Sequence, residues 1–210
     1  MKKVFLILLV LVLIAAGYLL WLFKFRSGSR HPKGPEPVPL AVSKHSEAFN
    51  QSVQSMLHAY YSLAEGLVNW DTTVVSREAL ALKTALDSVQ IEELRKDTTG
   101  IYESALDPLG NARSEAGNIL ANPSLEAKRT AFNALSENLR LLFIISPYDR
   151  EKIYWQECPM AFGEDQPGYW LSQTDSVRNP YLGTSHPQYK ATMLHCGMPK
   201  DTINFTVAAK

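Results

Sequence analysis

Six side chains with soft or borderline donor atoms crowd two short stretches near the C-terminal end of this chain. Cys158 and Met160 lie in CPMAF; Met193, His195, Cys196 and Met198 lie in MLHCGMP. Thiolate and thioether sulfur match soft cations such as Cu(I), and imidazole serves a wider range of metals. The spacing is neither CxxC…CxxC nor a zinc-finger pattern. Spacing alone therefore leaves three chemistries open: a soft-metal site, a disulfide between Cys158 and Cys196, or two inert thiols. The chain has two cysteines, and in an extracytoplasmic domain such a pair most often forms one bond. Closing a loop of this length contributes about 4 kcal/mol in the chain-entropy account. Methionines beside aromatic residues also serve as packing.

Other chemistries find less support. The sequence holds no Gly-rich phosphate loop, no GxSxG elbow, no HExxH and no CxxCH, which sets aside the commonest nucleotide, hydrolase, zincin and c-type haem signatures. A cysteine nucleophile needs a base within reach. His195 adjoins Cys196, but neighbours along a strand point to opposite faces. His58 has no Glu-x-x-His companion, so a solvent-facing or hydrogen-bonded histidine is the expectation there, not a ligand inside a bundle. The formal net charge is zero, which argues against nucleic acid as a partner. We expect a binding or interaction protein and no enzyme.

These two corners need elements to hold them. Val4–Phe23 is a run of 20 uncharged residues, about 30 Å of helix and long enough for a bilayer core. A cleaved signal peptide has a shorter apolar region, so residues 1–26 are expected to form a single-pass transmembrane anchor. Lys2 and Lys3 flank one end and Lys24, Arg26, Arg30 and Lys33 the other, which leaves orientation open by charge. Residues 27–44, with Pro32, Pro35, Pro37 and Pro39, read as a stiff linker. Residues 45–147 carry helical stripes: Phe49, Val53, Met56, Tyr60, Leu63 and Leu67; Val75, Ala79, Leu82, Leu86 and Val89; Leu109, Ala112, Ala116 and Ile119; Phe132, Leu135, Leu139 and Leu142. Asp71 suits a helix start, Pro108 a first turn, and Asn122-Pro123 an N-cap and first helical residue. Pro147 suits a helix stop. The fold expected is mainly α: a membrane-anchored antiparallel four-helix bundle with a small irregular C-terminal cap at 148–210. KIYWQE and TINFTV read as short strands of that cap, and NPYLG as a turn.

Four ordered motifs carry a resemblance: CPMA at Cys158–Ala161, GYWLS at Gly168–Ser172, NPYLG at Asn179–Gly183 and MLHCG at Met193–Gly197. With AKRTAFNALSENL at Ala127–Leu139, they resemble a bacterial domain-of-unknown-function family. It occurs alone and fused to the periplasmic adaptor subunits of copper and silver efflux pumps. The resemblance spans about His45–Phe205. It implies a soluble domain in the periplasm, anchored to the bacterial inner membrane, with a role in heavy-metal handling. Cu(I) or Ag(I) is the implied metal, with Cys158, Met160, Met193 and Cys196 as ligands and a heavy-metal efflux complex as a partner. His195, Met198 and His186 are further candidates; His186 lies in TSHPQYKAT, where the chain departs from the family pattern.

Overall fold

The computed structural model describes residues 2–26 and 43–206, and within the first segment the side chains of 11–22 and 24. Two units are distinct: residues 1–40 with 209–210, and residues 41–208. The first contains α1 (Lys2–Arg26), in which Tyr18 and Trp21 stack with ring centroids 6.2 Å apart. Among the described residues no helix is long and apolar enough to cross a membrane; the contiguous side chains described in α1 end at a dozen, short of a span. The linker of 27–44 lies outside the described residues except for Ser43 and Lys44. Those two are fastened and do not belong to a free spacer: Ser43 Oγ donates to Asp149 Oδ1 at 2.6 Å and the Lys44 amide to Asp149 Oδ2 at 2.8 Å. The end of the cap, 207–210, also lies outside the described residues.

The second unit is mainly helical, with a small antiparallel sheet at its C-terminal end. α2 (Glu47–Val68), α3 (Thr72–Asp87), α4 (Ile101–Ala121) and α5 (Leu125–Ile145) carry the four apolar stripes read from the sequence, all of them buried, with Val89 of the second stripe just past the end of α3. Each stripe falls at steps of three and four, so one face of each helix leaves water. α2 packs on α3, α3 on α4 and α4 on α5. α2 also meets α5, where the Tyr60 and Phe132 rings stack at 5.2 Å. Ser46, Asp71 and Ser124 cap α2, α3 and α5 by accepting first-turn amides, bonds of the kind that contribute about 1 kcal/mol each.

Two helix boundaries differ from the sequence expectation. Pro108 is the eighth residue of α4 and does not start it. Tyr102 and Ala105 extend the buried stripe upstream, and burial of that extra turn and of Pro108 itself outweighs the loss of one bond to the Ser104 carbonyl. Asn122 is the C-cap of α4 and Ser124 the N-cap of α5, so Pro123 lies between the helices. A 3-10 segment at Ile91–Lys96, not foreseen from the sequence, joins α3 to α4.

The cap is a three-stranded sheet of β1 (Ile153–Cys158), β2 (Gly168–Ser172) and β3 (Met198–Ile203), in the order β2-β1-β3. KIYWQE is a strand that extends through Cys158. TINFTV is not a strand of its own: only Thr202 and Ile203 fall in β3, whose start lies back at Met198. β2 goes beyond the sequence expectation: its five residues are too short, and its aromatics too poorly alternating, to signal a strand on their own. Pro199 is tolerated because β3 is an edge, and a bulge between Trp155 and Gln156 absorbs one residue there.

The sheet is docked by one polar chain. The Leu171 amide of β2 donates to Tyr60 Oη at 3.0 Å; Tyr60 Oη and Ser136 Oγ are 2.6 Å apart, and Ser136 donates to the Phe132 carbonyl at 2.7 Å. Every group in that chain is buried and paired, which is what makes it stabilising.

Candidate functional site

Cys158 ends β1, and Cys196 comes two residues before β3 begins. Glu157 pairs with Met198, so the chain entering β3 runs past the end of β1. Gly197 permits this approach. Its φ is +136°, and a Cβ there would lie 2.4 Å from the Glu157 carbonyl oxygen, closer than any side chain tolerates. The two sulfurs come to 3.7 Å, and both cysteines are free thiols. Cys158 is fully buried; Cys196 is half-buried at the edge of the core.

Asn179, fully buried in the NPYLG turn, sets the position of the second corner. Its Nδ2 donates to the Cys196 carbonyl at 2.7 Å, and its Oδ1 accepts from the Tyr181 and Leu182 amides at 2.8 and 3.0 Å. Its own amide donates to the Leu194 carbonyl at 2.9 Å. The turn is anchored in turn to the end of α2. Thr184 donates its amide to the Val68 carbonyl at 2.8 Å, and Gly183, at φ +57°, leaves space where a Cβ would sit 2.3 Å from that same oxygen.

Burial pushes the Cys158 thiol up to about 11, and the neighbouring Cys196 acts in the same direction; hydrogen bonds from the Met160 backbone and the Asn179 side chain oppose the shift. Cys158 is therefore a protonated thiol at neutral pH, a poor free nucleophile. Anything that takes it as a thiolate must displace a proton.

The remaining sequence candidates do not share one place. Met160 and Met193 are half-buried against the same core. His195 is exposed, with Nδ1 2.7 Å from the Val177 carbonyl, and Met198 is 52% exposed. His186 lies in a separate loop, where its ring stacks on Tyr189 and meets Trp70 edge-on, while Nδ1 accepts the Gln188 and Tyr189 amides at 3.2 and 3.3 Å. His58 is exposed on α2. Among the described residues no three His, Cys, Asp or Glu side chains form a metal cluster. A metal at this corner thus depends on the two thiols and on thioether sulfur.

The donor set fits such a metal. Two sulfurs each about 2.3 Å from one ion at a tetrahedral angle stand about 3.8 Å apart, close to the 3.7 Å observed. A bent pair leaves room for further soft donors, and Met160 and Met193 are the half-buried thioethers of the same cap. The same contact leaves a disulfide between the two cysteines open as an alternative.

Two residues that hold this site were not singled out from the sequence. Asn179 was read only as part of a turn; a buried Asn beside Pro is a signal of backbone capping. Arg129 was read only as part of a helix. Extending the α5 stripe back from Phe132 by three reaches it, a cation on an apolar face. Its Nε donates to the Pro180 carbonyl at 2.8 Å and its Nη2 to the Leu67 carbonyl at 2.9 Å. It thereby ties the NPYLG turn to the C-terminal end of α2, where the helix dipole favours a cation.

Residues 56–146 match the family model described as protein of unknown function (DUF3347). The matched span runs from Met56 in α2 through α5 and includes neither cysteine. No curated protein and no solved structure matches the chain.

Proposed function

We propose that this chain is a metal-handling accessory protein of the bacterial inner membrane that holds Cu(I) or Ag(I) at Cys158 and Cys196, with Met160 and Met193 as thioether donors. The observation that carries the reading is the 3.7 Å approach of two free thiols in the cap. In this reading Val4–Phe23 is the single-pass anchor, the Pro-rich segment is a spacer, and α2–α5 form an antiparallel four-helix bundle that presents the cap in the periplasm. The resemblance of the CPMA, GYWLS, NPYLG and MLHCG motifs supports the metal context and a heavy-metal efflux complex as the partner. A soft ion bound there would supply positive charge beside the Cys158 thiolate, which burial otherwise keeps protonated. The chain's own residues do the rest: Asn179 and Gly197 fix the second thiol beside the first, and the buried flank of the site keeps competing water away from Cys158. No reaction is assigned to these residues.

A second reading rests on the burial of Cys158. Burial disfavours a thiolate and suits a neutral disulfide. The cap is then a cross-linked interaction module that docks on an efflux or envelope assembly. Intact mass of the native protein, with thiol alkylation under non-reducing conditions, separates the two. Two free thiols that become protected on addition of Cu(I) support the first reading. A quantitative loss of two mass units and no Cu(I) uptake supports the second.

A further inference from the structure

Arg129 is 6% exposed, yet among the described residues no carboxylate pairs with it. Two of its N–H groups go to carbonyls, and its guanidinium lies over the Trp70 ring at 4.0 Å. The guanidinium has five N–H donors, so three have no partner among the described residues. Nη1 keeps some access to solvent, and Arg129 is one of the residues that line a cleft. Burial pulls Arg129 down to about 10, as expected of a cation whose charge the protein balances only in part.

That cleft has a volume of about 780 Å³, within the range of small-molecule sites. Its walls include Trp70, Phe162, Tyr181, Tyr189 and His186. Because the His186 Nδ1 accepts two backbone amides, its Nε2 is the protonated nitrogen in the neutral ring and a second donor. Burial first, and then the Arg129 charge, lower His186 below its ordinary value, so an anion would reverse part of that shift. Glu126, Glu164 and Asp165 also line the cleft, but all three are exposed. Their charge counts against phosphate-like polyanions and much less against one carboxylate held deep on Arg129.

We propose that this cleft binds a small monocarboxylate with an apolar or aromatic body, its carboxylate on Arg129 and His186 and its body against the aromatic walls. The inference uses neither cysteine, although Met160, the thioether donor proposed above, also lines the cleft. The buried guanidinium supplies a planar donor fork suited to carboxylate, and the rings supply apolar area for the rest of the ligand.

The test is calorimetric titration of the full reduced chain in detergent micelles with phenylacetate, its neutral isostere phenylacetamide, and inorganic phosphate. Phenylacetate is expected to bind with a Kd at or below about 1 mM, with the amide and phosphate each weaker by about tenfold or more. Arg129→Lys, which keeps charge and loses the fork, and His186→Ala should each weaken phenylacetate by about tenfold. Should Arg129→Lys fail to fold, His186→Ala and the acid–amide comparison still decide. No saturation by about 10 mM, an amide that binds as well as the acid, phosphate that binds more tightly than phenylacetate, or an unchanged affinity in His186→Ala overturns the proposal.

Discussion

The helical part and the cap of the second unit are held together by different physics. α2–α5 bury apolar stripes, and their backbone bonds are satisfied within each helix. Position there is set by volume and area, so neighbouring hydrophobes of similar size are interchangeable. The cap has short strands and long connections. It is positioned by a few polar side chains that serve backbone groups, most of them distant in sequence: Asn179 for Cys196 and for the nearby Tyr181 and Leu182, Arg129 for Leu67 and Pro180, Gln156 for Thr174 and Ser176. Two glycines permit backbone contacts that no other residue allows. The lesson is that loss of one large apolar group should cost the helices most, while loss of one hydrogen-bonding atom set should disarrange the cysteine corner most.

The largest effect should come from Phe132→Ala. Phe132 is fully buried and stacks on Tyr60, so a loss of about 3–5 kcal/mol in urea unfolding is expected. A loss below about 1 kcal/mol would place Phe132 outside the core and remove the distinction drawn here.

Asn179→Ala comes next. It leaves the buried Tyr181 and Leu182 amides and the Cys196 carbonyl without partners, each at about 1–3 kcal/mol when uncompensated. A net loss of about 3 kcal/mol is expected, together with faster alkylation of Cys158 under native conditions. Phe132→Ala should not accelerate that alkylation to the same degree at equal stability. Equal acceleration in both variants would show that the corner has no separate support.

Gly197→Ala should cost about 1–3 kcal/mol through overpacking, because the added Cβ meets the Glu157 carbonyl oxygen at 2.4 Å. Alkylation kinetics should again change at Cys158 and Cys196. A variant with wild-type stability would mean that β1 and the approach to β3 separate freely.

The smallest structural effect concerns the Ser43–Asp149 clasp. Burial raises the Asp149 carboxyl, but hydrogen bonds from Ser43 and Lys44 outweigh it and hold the group below the ordinary carboxylate value. A depressed carboxylate contributes stability above its unfolded pKa and loses it as pH falls through the folded one. The Tm difference between wild type and Asp149→Ala should thus be constant above about pH 4 and shrink below it. A difference that grows on acidification contradicts the assigned direction.

The helices were legible because their information is local. Every residue of the four stripes, from Phe49 to Leu142, is buried. Their ends were less legible. Pro108 and Pro123 were both read as first-turn residues, and in both cases a residue upstream or downstream decided the boundary: Tyr102 and Ala105 by packing, Ser124 by capping. The cap was legible in content and not in arrangement. Cys158, Gly168, Asn179 and Gly197 stand out as motif residues, and the approach of Cys158 to Cys196, required by a disulfide and by a shared metal alike, is found at 3.7 Å; the β2-β1-β3 order joins residues tens of positions apart, which no periodicity encodes. Arg129 was missed because a cation on an apolar stripe reads as an interruption of the pattern until the carbonyls it serves are known.

The account rests most on the two thiols at the cap corner, and one titration tests it most directly: competition for Cu(I) between a chelator and the reduced full chain, run for wild type, Cys158→Ser and Met160→Leu across pH. Met160→Leu conserves volume and should change stability by less than about 1.5 kcal/mol, yet weaken Cu(I) binding; Cys158→Ser should weaken it further, because the thiolate supplies charge as well as softness. With the Cys158 thiol near 11, wild-type affinity should rise by about tenfold per pH unit for each proton displaced. Mg(II) and Ca(II), which prefer oxygen, should not bind measurably. Equal Cu(I) affinity in all three proteins, with no pH dependence, would contradict the metal reading and leave the disulfide-linked interaction module in its place.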